Sequence, residues 1–405
     1  MITSNKKYIN FFFPLALSVI FLFFFIYIIK ISQDYYWRYV FSDWIINYEG
    51  GFIKRGLLGQ LSIYSSEVIN IDLKYIFIIF HILIYFTFIL FFFLLFKDFK
   101  KNYIFVFFCF SPLVFLFPLY VNDALARKEI FYITLFLVNC FLLTKINSSK
   151  IAFIATNIFF IISCLIHEAV LFFSLFFYSS YYFFLFKKKI KHNNLINLTN
   201  FIIFILLFFI HTRPVDILTV DRMLLYITSD LNLRISTSSG AMSWLVNLND
   251  KTSLFKPFDN ISNFRFVFLH FIYLHFSILF YLIIFKFSYL SNKILKLIYI
   301  FNFIFTLTLF YIAHDWGRFV YIHYNFLLIF TFYVLHDNKD VFLKIDKIFI
   351  SNKIPLSYKY IVTLIYISSW LPGLQYFDKT HLFPLYDFMI KNFLYLKKYS
   401  LILLN

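Results

Sequence analysis

The chain has 405 residues, of which 62% are hydrophobic and 14% charged, with a net charge of +17 and a mean hydropathy of +0.80. A soluble domain is about half apolar and about a quarter charged, so the composition excludes an ordinary soluble enzyme. It predicts an all-α, polytopic integral membrane protein whose positive charge belongs to lysines in cytoplasmic loops rather than to a nucleic-acid surface.

A helix crosses the hydrocarbon core with about 20 apolar residues. Apolar runs separated by polar breaks predict about eleven spans, at 8–31, 75–96, 103–119, 130–144, 151–166, 169–186, 195–211, 266–286, 296–312, 319–335 and 360–376. The first run is too long for the apolar region of a signal peptide and lacks a small-residue cleavage site, so it reads as a membrane helix. The stretch 151–186 is too long for one crossing and is divided at His167-Glu168. Cys109, Cys140 and Cys164 all fall inside apolar runs without metal-ligand spacing and read as core residues. The 65 Phe and 31 Tyr read as the codon usage of an AT-rich genome.

The short connections at 97–101, 145–150, 187–192, 291–296 and 336–359 are rich in lysine and contain no arginine. The positive-inside rule makes them cytoplasmic and places the N-terminus inside. All eight arginines then fall on the outer side: Arg38, Arg55, Arg127, Arg213, Arg222, Arg234, Arg265 and Arg318. A guanidinium presents a planar fork of donors that fits phosphate and carboxylate, which a lysine ammonium does not. The pattern points to an anionic ligand on the outer face. The whole chain reads as a single transmembrane domain with long outer loops at 32–74 and 212–265. An interfacial amphipathic helix is expected over 382–405.

The first outer loop holds Asp34, Asp43, Glu49, Lys54 and Arg55. It also concentrates Gly50, Gly51, Gly56 and Gly59, which can form a turn presenting backbone N–H groups to a phosphate. An ordinary re-entrant or interfacial loop is the plainer alternative. Asp123 and Arg127 are four apart, so a helix would set them on one face. His167-Glu168 interrupts two very apolar runs; an ionisable pair at the membrane edge is expensive and therefore a candidate site, or else a hydrogen-bonded cap on a helical hairpin. His314, Asp315 and Arg318 lie within one or two helical turns, and Asp315 can orient the guanidinium. His323, deeper in the following helix, reads as a packed residue. Arg213, Arg222 and Arg234 belong to the second long loop, a possible lid, and Arg38 and Arg265 read as interface anchors.

Acids, arginines and histidines at one depth near the outer leaflet suit a lipid-linked substrate. A carboxylate serves as general base for an acceptor hydroxyl, and arginines stabilise a leaving pyrophosphate. The segments GGFIKRGLLG, RKE, IHE and HDWGR, with the helix count and outer loops, resemble bacterial O-antigen and capsule polymerases and the GT-C superfamily of glycosyltransferases. That resemblance implies an essential acid in the first outer loop, mapping to Asp43, Asp34 or Glu49, and a further acid at Asp123. The tandem acidic pair of many such first loops is absent.

The expectation is an inner-membrane glycosyltransferase. It uses polyprenyl-pyrophosphate-linked saccharides at the periplasmic face and polymerises repeat units. Asp43 or Asp315 is the base, with His314, His167 and Glu168 in the catalytic group. Arg55, Lys54, Asp123, Arg127, Arg318, Arg213 and Arg222 bind substrate. No cofactor is predicted, and a divalent metal is neither indicated nor excluded. The expected partners are an undecaprenyl-linked saccharide, the lipid bilayer and polysaccharide-assembly proteins, with no nucleic acid. The alternatives are a transferase that adds one sugar, a lipid-linked glycan flippase or transporter, and a membrane acyltransferase.

Overall fold

A segment surrounded by lipid must satisfy its own backbone hydrogen bonds, and a helix does so within one strand of chain. The chain is built accordingly in the computed structural model, which describes residues 2–33, 36–97, 99, 103–190, 194–213, 215–231, 245, 293–312 and 315–336, with scattered positions between 358 and 382. Its helices are α1 (Ile2–Gln33), α2 (Tyr36–Trp44), α3 (Gly56–Ile69), α4 (Leu73–Phe96), α5 (Tyr103–Cys109), α6 (Phe117–Tyr120) and α7 (Asn122–Leu125). They continue as α8 (Glu129–Lys145), α9 (Ser149–Ile166), α10 (Ser174–Lys187), α11 (Asn194–Thr212), α12 (Ile217–Leu225), α13 (Lys293–Ile312) and α14 (Trp316–Leu335). Trp370–Leu371 pairs antiparallel with His381–Leu382.

Among the described residues, six segments are long and apolar enough to cross a membrane: Phe13–Ser32, Leu73–Phe96, Ser149–Ile166, Glu168–Lys187, Asn194–Thr212 and Trp316–Leu335. The division expected at His167-Glu168 is present: α9 ends at Ile166, and a 3-10 turn over Glu168–Phe173 leads into α10. The expected span 130–144 is the 17-residue α8, which at 1.5 Å per residue is about 25 Å long. The expected span 266–286, most of 360–376 and nearly all of 382–405 lie outside the described residues.

The expected span 103–119 is broken, and proline chemistry explains how the break is tolerated. Ser111 caps a π-helical turn over Pro112–Leu116, in which Phe117 N–H donates to Pro112 O. The same wide register would bring a donor from position 118 to Leu113 O, but Pro118 has no N–H. Asn325 Nδ2 supplies the missing donor at 3.0 Å. Pro112 likewise cannot donate to Phe108 O, which instead accepts from Tyr324 OH at 3.1 Å and from Ser111 N–H. Two side chains of α14 thus repair the backbone of the break and fix α14 against it.

α8 is the hub of the bundle, packed by α4, α9, α10 and α14. α14 has every residue from Trp316 to Leu335 buried. It lies among α8, α10, α13 and the π turn. Polar ties cross the apolar core: Asn139 Nδ2 donates to Ser180 Oγ, and Thr156 Oγ1 to Asn139 Oδ1, joining α8, α10 and α9. His323 is fully buried on Thr306 Oγ1 at 2.7 Å, a packed residue as expected. Cys109, Cys140 and Cys164 are buried free thiols.

Candidate functional site

The site is assembled by loops clamped onto helix ends. Trp44, at the end of α2, donates Nε1–H to Ala126 O at 2.8 Å, and Tyr85 of α4 donates to Leu125 O at 2.9 Å. These two bonds set the chain just before Arg127 and Lys128. The turn after α2 is held by its own side chains. Asn47 bonds Ile45 O and Glu49 N–H, and Gln60 bonds Tyr48 N–H and Glu49 Oε1. Glu49 is therefore used in the turn and does not reach the ionic cluster.

Two glycines of this loop, Gly50 and Gly59, permit close backbone approach. A methyl group on Gly59 would stand 2.0 Å from Ile46 O, so only a bare backbone lets α3 lie against the turn. At Gly50 it would stand 2.1 Å from Thr219 O of α12. Arg55 caps α3 with φ 66°, the left-handed region, which costs a non-glycine residue about 1 kcal/mol or more. Lys128 Nζ donates to Arg55 O at 2.7 Å and helps hold that conformation.

From this frame one continuous ionic network follows. Arg55 Nε donates to both oxygens of Glu168, at 2.8 and 3.0 Å, and its Nη2 pairs with the same carboxylate. Arg55 Nη1 stands 3.7 Å from Asp43 Oδ1, and Lys128 Nζ stands 3.9 Å from the same atom. Glu168 Oε2 lies 3.5 Å from His167 Nδ1, and His167 Nε2 lies 2.7 Å from Arg318 Nη2. Arg318 also pairs through Nε with Glu129 and through Nη1 with Asp315 Oδ2 at 2.5 Å. Arg127 Nη1 closes the far end, 3.7 Å from Asp315. Four cations (Arg55, Arg127, Lys128, Arg318) face four carboxylates (Asp43, Glu129, Glu168, Asp315), so the network is balanced.

His167 is the neutral link between its two halves. Arginine can only donate, so Arg318 makes Nε2 the acceptor and leaves the ring proton on Nδ1, facing Glu168. Ala169 N–H, 3.1 Å from Nδ1, would be satisfied only by the opposite tautomer. The carboxylate on one side and the guanidinium on the other favour the first. Burial, joined by Arg55 and Arg318 and opposed by Glu168, holds the imidazole well below the usual histidine range. The contact with Glu168 is therefore made by a neutral ring, not an ion pair.

Electrostatics set the protonation states around it. Burial alone would raise Asp43, but Lys128 and Arg55 outweigh it and bring its pKa down to about 2. Asp315 is likewise held below the usual carboxylate range: burial is outweighed by Arg318 and Arg127. Burial lowers Lys128 to about 8, against the pull of Asp43. The unfolded chain therefore keeps this proton above pH 8, where the folded chain releases it, and stability rises with pH until the ordinary lysine value of 10.5. The expected result is a wild-type melting temperature that climbs relative to Lys128→Met between pH 8 and 10. Parallel curves for the two proteins would show that Lys128 does not titrate in this window.

The network unites Asp43, Arg55, Arg127, His167, Glu168, Asp315 and Arg318, seven of the residues expected from the sequence. It corrects one pairing: α7 ends at Leu125, so Asp123 and Arg127 share no helical face, and Arg127 turns to Asp315. The side chain of Asp123 and the whole of His314, like Asp34, Arg234 and Arg265, lie outside the described residues, as does the Arg38 side chain. Arg222 is exposed on α12 and stands apart from the network. Lys54 and Arg213 line a separate cavity of about 460 Å³ with Phe52, Ile210, Val215 and Asp216. The sequence reading missed Glu129 and Lys128 as members. Their only signal is the RKE triplet where a polar loop meets an apolar run.

Among the described residues no group of three or more His, Cys, Asp or Glu side chains is placed to hold a metal ion. The carboxylates face guanidinium and ammonium groups instead. No protein family, curated protein or solved structure matches the chain.

Proposed function

We propose that the chain is a bacterial inner-membrane glycosyltransferase acting at the periplasmic face on polyprenyl-pyrophosphate-linked saccharides, and that it polymerises repeat units. About eleven crossings with a cytoplasmic N-terminus complete this reading. The observation that carries it is the network: a balanced set of four acids with three arginines and Lys128 at one end of helices whose other ends bear Lys145, Lys150 and Lys187. Lysine at those ends supports a cytoplasmic assignment for them.

Asp43 is the base in this scheme. Its side chain is 15% exposed, and its buried Oδ1 accepts no hydrogen bond but faces the charges of Arg55 and Lys128. It stays ionised at neutral pH and takes the acceptor hydroxyl proton as the new glycosidic bond forms. The bond from the donor sugar to its pyrophosphate breaks, and the electron pair leaves with the phosphate oxygen. Arg127 is the least engaged arginine of the network and meets that developing charge, with Arg55 and Arg318 behind it. A network balanced before substrate arrives adds little to ground-state binding of phosphate. It places cations where charge develops, which favours the transition state.

The test is purified protein in lipid nanodiscs supplied with undecaprenyl-pyrophosphate-linked repeat units, read on a gel. A ladder of products is expected. A single mobility shift would make the protein a one-sugar transferase, and failure to convert any lipid-linked saccharide offered would overturn the proposal.

A further inference from the structure

The cavity lined by Lys54 and Arg213 lies outside the hydrogen bonds and ion pairs of the network, although Lys54 is the chain neighbour of Arg55 and feels the charge of Glu168. Neither cation's side chain enters a hydrogen bond or ion pair among the described residues. Against them stands one carboxylate in the lining, Asp216, whose Oδ1 caps α12 by accepting from Leu218 N–H at 3.3 Å. The cavity thus carries a net positive charge. The rest of its wall is largely apolar, from Phe52, Ile210 and Val215.

The surface below the cavity is apolar as well. Leu198, Ile202, Leu206 and Phe209 are exposed and follow one another at three- and four-residue steps down α11. They form one stripe that runs into Arg213. From Leu198 to Arg213 the rise is roughly 22 Å at 1.5 Å per residue. At the same end His211 is buried, with both ring nitrogens lacking a hydrogen-bond partner. Its ring packs at 6.4 Å on Phe52, and its charged neighbours are Glu168, Lys54 and Arg55. It touches Phe52 of the cavity wall but does not itself line the cavity.

We infer that this cavity binds the phosphate of an isoprenyl-phosphate lipid. Lys54 and Arg213 contact the phosphate, and the isoprenoid chain lies along the stripe of α11. An anionic head at the mouth of an apolar stripe fits an amphiphile better than a free ion. The isoprenoid identity rests on the transferase reading above; the anion-binding role of the two cations does not.

The test measures binding without turnover, using purified full-length protein in detergent and farnesyl phosphate as the probe. Farnesol, inorganic phosphate and phosphatidylglycerol are the comparison ligands. Wild type is expected to bind farnesyl phosphate more tightly than any of these. Lys54→Gln and Arg213→Gln should each weaken it about tenfold, the loss of one charge-assisted contact, and Arg213→Lys should weaken it less. Because both side chains are unpaired, all variants should elute as the wild type does on size exclusion. Unchanged affinity in both glutamine variants overturns the site. Equal binding of farnesol, of inorganic phosphate or of phosphatidylglycerol overturns the isoprenyl-phosphate assignment. Asp43→Asn should retain this binding, so a failed transfer assay and a failed binding site give different results.

Discussion

Arg318→Met is expected to destabilise the protein by about 3–5 kcal/mol, the cost of stranding a buried charge. The side chain of Arg318 is 7% exposed and that of its partner Glu129 is 3% exposed. One guanidinium serves three separate segments: Glu129 at the start of α8, Asp315 before α14, and His167 between α9 and the turn into α10. A planar guanidinium has three nitrogens to set against them: Nη1 donates to Asp315, Nη2 meets His167 Nε2, and Nε is in ion-pair contact with Glu129. Arg318→Lys keeps the charge but has one nitrogen, so it should recover only part of the loss. The partner substitution separates charge from packing. Arg318→Met combined with Glu129→Leu removes both buried charges and should recover most of the stability, because a well-packed apolar pair often replaces a buried ion pair at little cost. Unfolding followed by denaturant or heat in detergent measures all four proteins. If the double variant is as unstable as Arg318→Met alone, the Glu129–Arg318 pair does not set the cost. In the transferase reading the double variant folds but fails to make polymer.

The sequence shows the helices where an apolar run is long and its ends are polar, as for α4, α9 and α11. It shows the break at His167-Glu168 for the same physical reason, since two ionisable groups cannot lie in lipid unpaired. The break at Ser111–Pro112 was hidden, because Pro112 and Pro118 are tolerated only through donors more than two hundred residues away, Tyr324 and Asn325. The members of the ionic cluster were largely legible as polar groups at helix mouths. Their partners were not. Arg55 with Glu168 is a pairing across 113 residues, and nothing local in either segment specifies it. Local spacing misled at Asp123 and Arg127, where α7 stops after four residues. Glu129 stands just before the apolar run 130–144, and its burial against Arg318 follows only from how α8 and α14 pack. His211 left no trace in the sequence, because it sits in the last turn of an apolar helix like any packed histidine.

Asp43→Asn should reduce transfer by roughly a hundredfold to ten-thousandfold, the range for losing a positioned general base, while Asp315→Asn should cost less. Both aspartates lie at the edge of the network, and arginines hold both ionised, so charge alone does not separate them. Their bonding does. Asp315 Oδ2 takes a hydrogen bond from Arg318 Nη1 at 2.5 Å and faces Arg127 at 3.7 Å. Asp43 Oδ1 has only charges at 3.7 and 3.9 Å and no hydrogen bond. An oxygen already saturated by a guanidinium is a poor proton acceptor; the Asp43 carboxylate, with Oδ1 buried and 15% of the side chain exposed, takes no guanidinium hydrogen bond. Asparagine preserves the shape of the side chain but leaves Lys128 without its nearest carboxylate, so rates must be normalised to the folded fraction seen on size exclusion. Asp43→Glu keeps the base and displaces it, and should retain more activity than Asp43→Asn. A lowered kcat with little change in KM is expected for Asp43→Asn, because a base acts on the reacting hydroxyl rather than on binding of the lipid. A raised KM with kcat intact would make Asp43 a positioning residue for substrate. Full activity in Asp43→Asn with loss in Asp315→Asn would move the base to the far end of the network, where Arg127 would then serve to orient it.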